Sequence, residues 1–414
     1  MHILDFIRAH LLALPNLAKF AIALAIIVGV PPLSRRLRVP AIVGLLLAGL
    51  VMGPHGLQLY DEHHPIAAFF SELGKLLLMF SAGLEIDLAH FRRVRNKAYI
   101  FGILTTTLPL LLGTAVGLLF EYRMVPALVI GSLLASHTLL GMQIVSRLGA
   151  TQLEPIIITV GATVISDTLS LVVFAICVPT YQTGFSVISF GLQILEIAIF
   201  VPFILFGVSR IGAWLLKKVE DDENAYFIVM LAILAVAGLI AAMINLPGIV
   251  GAFLAGLAVN AAVQNKPAKE KLEFFGNSLF IPGFFVVTGF LIDPRLFIST
   301  IIGSFPLVIA IIAALLVGKA IAVEIVGRGF KYTTAARKTM WSLTLPQVAA
   351  TLAATLVGYD TLNAAGQRLL DSRMLNTVLV LLVMTSILGP VLTERFASEL
   401  VSESRNQLTQ SVTK

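Results

Sequence analysis

Long apolar segments, separated by short polar connections, run through nearly the whole chain of 414 residues. An α-helix needs about 20 consecutive apolar residues to cross the hydrocarbon core of a bilayer. The pattern therefore predicts an all-α polytopic membrane protein with about thirteen transmembrane helices. The predicted helices cover residues 16–33, 40–58, 66–84, 97–120, 124–146, 155–178, 184–216, 225–245, 247–263, 275–292, 298–327, 336–358 and 374–394.

The composition agrees with this prediction and excludes several classes of function. Hydrophobic residues make up 58% of the chain and charged residues 13%, whereas soluble domains carry about 25% charged residues. The net charge of +6 is explained by basic loops on one side of the membrane, so it does not indicate nucleic-acid binding. The sequence has one cysteine and no glycine-rich phosphate loop, nucleophile triad or dinucleotide fingerprint. We therefore expect neither an enzyme nor a cofactor.

The basic residues indicate the orientation. When alternate connections are assigned to one side, that side and the C-terminal tail hold 21 of the 29 Lys and Arg residues. Because basic loops stay in the cytoplasm, we expect a multi-pass protein of the cell inner (plasma) membrane. Its N-terminus would lie outside the cell and its C-terminus in the cytoplasm.

Two stretches of the chain repeat in register. PAIVGLLLAGLVMG at 40–53 aligns without gaps on PGIVGAFLAGLAVN at 247–260, and GLEID at 83–87 aligns on GFLID at 289–293. The first copy enters the membrane from the predicted cytoplasmic side and the second copy from the opposite side. Inverted repeats of this kind are typical of secondary transporters, and chance similarity between apolar helices is the alternative.

The repeat pairs the fifth predicted helix with the twelfth, and both contain a polar interruption. The fifth reads ASHTLLG at 135–141 and the twelfth reads LTLPQV at 343–348. Pro346 removes a backbone donor from its helix, and two interrupted helices at symmetric positions point to an ion site near the bilayer midplane. The neutral oxygen donors near these interruptions are Ser136, Thr138, Thr344 and Gln347.

Asp167 lies near the middle of the sixth predicted helix, where an acid costs about 2.5–3.5 kcal/mol on insertion scales. Thr163, Ser166 and Ser170 share its helical face. An acid at this depth is a functional candidate, and we predict that it is the central group of the site. A carboxylate buried for packing alone is the alternative. The residues predicted to form the site are Asp167, Ser166, Thr163, Ser136 and Thr138.

Two further titratable residues fall within apolar segments. Lys319 is central in the eleventh predicted helix and would compensate the charge of Asp167; a side chain that extends to the membrane interface is the alternative. His137 adjoins the first interruption. Because histidine titrates near neutrality, His137 could sense pH, although a hydrogen-bonded packing role is the interpretation we favour.

Together these stretches resemble the bacterial monovalent cation:proton antiporters, in the branch with Na+/H+ antiporters and glutathione-gated (Kef-type) K+ efflux systems. The resemblance covers essentially the whole chain, and its motifs are specific in combination although each is weak alone. The motifs are VPAIVGLLLAGLVMGP at 39–54, LMFSAGLEID at 78–87, the break at Ser136–Thr138, the pair Ser166–Asp167 and the pair Gly318–Lys319.

The resemblance implies the cation:proton antiporter fold and a homodimer. Helices 1–3 and 8–10 would form the dimerisation scaffold, and helices 4–6 and 11–13 would form a core that moves against it as an elevator. Relatives often carry a cytoplasmic regulatory domain or subunit, and we expect any such part to be absent from this chain. The implied divisions are scaffold at 1–95 and 221–297, core at 96–180 and 298–396, linker helix at 181–220 and cytoplasmic tail at 397–414.

The number of acids decides the expected stoichiometry. Electrogenic relatives carry two adjacent acids, but Ser166 takes the first of these positions here, and Lys319 then lacks its usual partner. A single carboxylate, Asp167, predicts electroneutral exchange of Na+ or K+ for H+. Electrogenic exchange would follow if Lys319 also released its proton. A cation-coupled organic-anion symporter and a gated K+ efflux channel are the rival functions.

Overall fold

The structure is a computed structural model, and it describes residues 14–37, 40–60, 65–84, 88–184, 187–244, 246–263, 267–290 and 293–412. These residues form helices joined by short turns. Two π-helical segments, Phe203–Val208 and Gly276–Phe280, each join two of the α-helices. The helices are α1 Asn16–Arg36, α2 Ala41–Met52, α3 Pro65–Leu84, α4 Leu88–Leu119, α5 Met124–Ala135, α6 Met142–Arg147, α7 Glu154–Thr183, α8 Val187–Pro202, α9 Ser209–Lys218, α10 Glu223–Met243, α11 Gly248–Val263, α12 Pro267–Phe275, α13 Ile281–Phe290, α14 Pro294–Gly303, α15 Phe305–Gly329, α16 Thr334–Leu343, α17 Ala349–Asp360 and α18 Ser372–Val412.

The helical membrane fold is confirmed. Within the described ranges, nine helices are long and apolar enough to cross a membrane. Three further apolar helices are shorter, at Ala41–Met52, Met124–Ala135 and Gly248–Asn260. The predicted count of thirteen stays a prediction, because several of the predicted segments are divided into helices below spanning length.

Two predicted segments differ from the structure. The single helix expected over 298–327 is wrong at its start, because α14 ends at Gly303 and α15 begins at Phe305. Pro306 lies in the first turn of α15, where its missing N–H costs no hydrogen bond, whereas inside a longer helix it would remove one. At the other end of the chain, the residues expected as a tail from 397 onward continue α18 to Val412.

The chain divides into two compact units, each assembled from two stretches that are distant in sequence. Unit 1 comprises Met1–Glu85 and Glu196–Gly303, and unit 2 comprises Ile86–Leu195 and Ser304–Lys414. All of the predicted site residues belong to unit 2.

Two close helix crossings in unit 1 involve matched glycines of the repeated stretches. A Cβ atom on Gly49 would lie 1.9 Å from the carbonyl oxygen of Val286, and one on Gly256 would lie 2.2 Å from that of Phe80. Only glycine permits such an approach of two helix backbones. α2 therefore packs on α13 as α11 packs on α3. The parts of the repeat at 85–87 and 291–292 lie outside the described residues.

In unit 2 the turns from α4 to α5 and from α15 to α16 have the same conformation. Glu121 has a φ of 68° and Lys331 a φ of 59°, a left-handed conformation that few non-glycine residues adopt. In each turn the N–H of the next residue, a tyrosine, donates to the carbonyl of a glycine at the end of the preceding helix. These bonds run from Tyr122 to Gly117 at 3.0 Å and from Tyr332 to Gly327 at 2.7 Å.

The side chains of the same two tyrosines form contacts that we call the tyrosine clasps. Tyr122 Oη donates to Asp371 Oδ1 at 3.0 Å, just before α18. Tyr332 Oη donates to Glu154 Oε1 at 2.5 Å, at the first residue of α7, and Lys97 also contacts this carboxylate. Burial and the neighbouring carboxylate raise the pKa of Tyr122 and that of Tyr332 well above the usual range. Both hydroxyls therefore remain protonated donors.

Candidate ion-binding site

Two helices of unit 2 are interrupted, and the interruptions are joined to each other. α5 ends at Ala135 and α6 begins at Met142, while α16 ends at Leu343 and α17 begins at Ala349. The N–H of Thr138 donates to the carbonyl of Pro346 at 2.8 Å. Gln347 Nε2 donates to the carbonyl of Ser136 at 2.6 Å. Extended backbone inside a membrane protein needs partners of this kind because lipid offers none.

Asp167 lies in the middle of α7 and faces the first interruption. Ser136 Oγ donates to Asp167 Oδ1 at 2.7 Å, and the N–H of His137 is directed at the same oxygen from 3.4 Å. Ser170 Oγ bonds to the backbone carbonyl of Asp167 at 2.9 Å. A cavity of about 220 Å³, including space open at its mouth, is bordered by Ser136, Ser170 and Thr351. The carboxylate is therefore held by the first interruption, and Ser136 and Ser170, which are bonded to Asp167, border the cavity.

Lys319 is completely buried, with 0% of its surface exposed. Its Nζ donates to the carbonyl of Ala135 at 2.7 Å and to that of Thr105 at 3.0 Å, and lies 3.5 Å from Nδ1 of His137. Among the described side chains, no carboxylate oxygen lies within ion-pair distance of Nζ. A protonated lysine has three hydrogens to donate, so three neutral acceptors match the charged form.

His137 connects Lys319 to α7. Its Nε2 lies 3.0 Å from Thr163 Oγ1, and its Nδ1 lies 3.2 Å from Ser166 Oγ. Thr163 already donates its own proton to the carbonyl of Thr159, so its oxygen accepts from the ring. A protonated Lys319 can only donate, so a neutral ring accepts from it at Nδ1 and carries its own proton on Nε2. The histidine is hydrogen-bonded and 2% exposed.

The remaining predicted residues play unequal parts in this arrangement. Gln347 is central to it, because its Oε1 also accepts from Thr351 Oγ1 at 2.6 Å. Thr138 contributes its backbone N–H to the crossing. Thr344 Oγ1 instead donates to the carbonyl of Trp341 at 2.9 Å and so closes the last turn of α16. The residues that the structure brings together around Asp167 are Ser136, His137, Thr163, Ser166, Lys319 and Gln347.

One residue of this arrangement was not predicted from the sequence. Thr385 of α18 is completely buried, and its Oγ1 accepts the N–H of Gln347 at 3.0 Å. This contact matches the one between His137 and Asp167, in which the N–H of an interruption meets a side chain of a long neighbouring helix. The Phe-x-Tyr sequence at 120–122 and 330–332 aligns His137 with Gln347, but at the same offset Asp167 aligns with Thr377, so this signal does not locate Thr385.

A polytopic helical fold with two crossed, interrupted helices and a partly buried carboxylate against one of them is typical of a membrane transporter. The family described as "Sodium/hydrogen exchanger, transmembrane" matches residues 22–397, and the chain belongs to this family. Its members are transporters and not enzymes, as predicted, and the resemblance to cation:proton antiporters is confirmed.

Individual relatives agree with this assignment. The chain is 42% identical to the Na(+)/H(+) antiporter NhaS5 of Synechocystis over 397 residues. The aligned region covers 96% of this chain and 57% of that protein. It is 26% identical over 399 residues to the probable Na(+)/H(+) antiporter 3 of Methanocaldococcus jannaschii, covering 94% of this chain and 98% of the relative. The chain thus spans a little over half the length of the first of these relatives.

A solved structure supports the fold. The sodium proton antiporter MjNhaP1 from Methanocaldococcus jannaschii at pH 8 superposes with a TM-score of 0.69 over 93% of this chain and 98% of that one. The sequence identity is 16%, so this likeness concerns the architecture alone.

Proposed function

We propose that the protein exchanges Na+ or K+ for H+ across the membrane, with Asp167 as the shared binding group. The observation that carries the proposal is the position of its carboxylate, which lies in the middle of α7 and accepts hydrogen bonds from the first interruption. A proton or a monovalent cation would each neutralise this single acid, so the two ligands exclude one another. Ser136 and Thr138 would supply additional oxygen donors, and Thr163 and Ser166 support the histidine beside them.

Electroneutral exchange is supported by the surroundings of Lys319. Its three neutral acceptors suit a protonated amine, which would leave Asp167 as the group that changes charge. Ser166 donates to the carbonyl of Thr163 at 3.0 Å and so provides no second acid. One cation is then exchanged for one proton, and Lys319 compensates the charge of the site throughout the cycle.

The predicted architecture of transport is part of the proposal. The division into two compact units, each from two sequence segments, supports a scaffold in unit 1 and an elevator-like core in unit 2. The reciprocal glycine crossings and the equivalent turns at Glu121 and Lys331 support inverted repeats. The distribution of basic residues supports a cytoplasmic C-terminus, and the homodimer follows from the family resemblance.

Ion identity is left to the experiment, because relatives are named for both ions. The first relative above is a Na(+)/H(+) antiporter, and another, from Bacillus cereus, is the Na(+)/H(+)-K(+) antiporter GerN, 29% identical over 264 residues. Oxygen donors of the kind present here can hold either ion, and selectivity depends on cavity size and ligand number.

The experiment uses the full chain reconstituted in liposomes with an internal pH dye. Pulses of Na+, K+ and Li+ are applied with the membrane potential clamped and unclamped. We expect a pH change that depends on Na+ or K+ and is the same in both conditions. A response that scales with the potential would refute electroneutrality, and no response to any cation would favour the symporter or the channel.

A further inference from the structure

The C-terminal part of α18 packs along the short helix α6. Thr393 and Ala397 are both 0% exposed and Leu400 is 5% exposed, with Val401 partly buried beside them. Their spacing places them on one face of the helix. On the opposite face, Arg395 and Glu399 are exposed and form an ion pair with each other. The stretch 393–401 is therefore amphipathic, with its apolar face in the core of unit 2.

The partners of this face include the first interruption itself. Ala397 and Leu400 share a buried cluster with Val145 of α6, and Leu139 packs against the same cluster. Leu139 lies within the interruption, two residues after His137. The apolar face thus contacts both the helix that follows the interruption and the interruption itself.

A second contact lies where α6 begins. A Cβ atom on Gly141 would lie 2.8 Å from Thr393 Oγ1 and 2.8 Å from a methyl group of Leu343. Thr393 Oγ1 in turn donates to Ser342 Oγ at 3.0 Å. The backbone at the end of the interruption is therefore held directly against α18 and α16.

These contacts matter because α6 has only six residues. Isolated helices shorter than about 12 residues are marginal in water, and in folded proteins packing decides whether and where they form. Whatever fixes α6 also fixes one end of the interruption that supplies Ser136 Oγ and the N–H of His137 to Asp167.

We infer that residues 393–401 are a positioning element for the ion site, acting on Asp167 through α6 and the first interruption. This inference rests on the proposed function. Loosening the element would lower the fraction of molecules whose interruption has the binding-competent geometry, and apparent cation affinity falls in proportion to that fraction. Maximal turnover would change little, because saturating cation restores the competent geometry.

The test compares substitutions on the two faces of α18 in the reconstituted full chain. Leu400→Ala removes packing from the buried face, Leu400→Met largely retains it, and Glu399→Ala changes the exposed face one residue away. We expect the KM for the transported cation to rise by about tenfold in Leu400→Ala, as when the competent fraction falls to about one tenth. The maximal rate should stay within about twofold, and both other variants should match the parent protein.

A second substitution is included in case the Leu400→Ala protein does not assemble. Ala397→Val adds volume at a site with 0% exposure, and overpacking should displace α18 from α6. A raised KM in either assembled variant supports the inference. An unchanged KM in both, whatever their thermal stability, overturns it, as does an equal change in Glu399→Ala. Failure of the parent protein to exchange any cation would instead refute the proposed function.

Discussion

The two interruptions have the same construction and opposite chemistry. At the first, the N–H of His137 faces the carboxylate of Asp167 on α7; at the second, the N–H of Gln347 donates to the hydroxyl of Thr385 on α18. The first side chain can bind a proton or a cation, and the second can do neither at ordinary pH. Under the proposed function, one half of unit 2 carries the exchangeable charge and the other half supports it.

The residues at the two interruptions also differ in how deeply they are buried. Gln347 and Thr385 are both 0% exposed, and the amide of Gln347 uses both of its ends for hydrogen bonds with neighbouring groups. Asp167 is only partly buried, and the residues bonded to it border a cavity. The second interruption is therefore neutral and fully buried, whereas the first contacts a partly exposed acid. The following substitutions test that contrast.

Removing the charge should have the largest effect. Asp167→Asn keeps the shape of the side chain but binds neither a proton nor a cation, so we expect exchange in liposomes to fall to background in a fully assembled protein. Asp371→Asn makes the same change at the clasp before α18 and should retain exchange. Coupled exchange that survives in Asp167→Asn would refute the assignment of the carrier.

Removing the buried lysine should affect stability more than transport. Lys319→Ala leaves two carbonyls and a ring nitrogen without their donor, and each such buried group costs about 1–3 kcal/mol. We expect a clearly lower unfolding temperature in detergent and a reduced but measurable exchange rate. Lys75→Ala, at a lysine paired with the exposed Glu72, is the control. Complete loss of exchange in a stable Lys319→Ala protein would mean that the lysine carries protons.

Adding a second acid should change the voltage dependence. Ser166→Asp places a carboxylate beside the ring of His137 and near Lys319. We expect Lys319 to gain an acidic partner and the exchange to respond to membrane potential. The measurement is the rate of pH change with the potential clamped and unclamped. Identical rates in an active variant would contradict the proposed basis of the stoichiometry.

The smallest effect is expected from a substitution at the second interruption. Thr385→Val removes the acceptor of the Gln347 N–H, at a cost of about 1–3 kcal/mol for a buried donor left unpaired, and should leave the KM for cation unchanged. Thermal unfolding and exchange kinetics would be measured on the same preparation. If the KM rose as strongly as when the first interruption is altered, the second crossing would be part of the binding site.

Sequence analysis identified those residues of the candidate site that break an apolar pattern. Asp167, Lys319 and Pro346 are conspicuous in membrane helices because charge and a missing N–H are costly there. Thr385 was missed because one buried hydroxyl in an apolar helix resembles many others. The acceptors of Lys319 were also unpredictable, since the backbone carbonyls of Thr105 and Ala135 have no side-chain signature.

Long-range pairing set a further limit on prediction. Glu324 lies five residues after Lys319 in sequence, yet the structure pairs it with Arg328 and Arg337 at 2.9 and 2.6 Å. The packing of α18 against α6 depends on residues far apart in the chain, and nothing in the local pattern identified it. The apolar stripe around Ala397 and Leu400 was visible only as part of a presumed tail.

The tyrosine clasps have a consequence for biogenesis. Each joins a turn in one half of unit 2 to the start of a helix in the other half, across 178 residues for Glu154 and Tyr332 and 249 residues for Tyr122 and Asp371. At about 5–20 residues per second, the ribosome supplies Tyr332 roughly 10–35 seconds after Glu154. During that interval the first half of unit 2 lacks these partners, so the contacts can form only after Tyr332 and Asp371 have been synthesised.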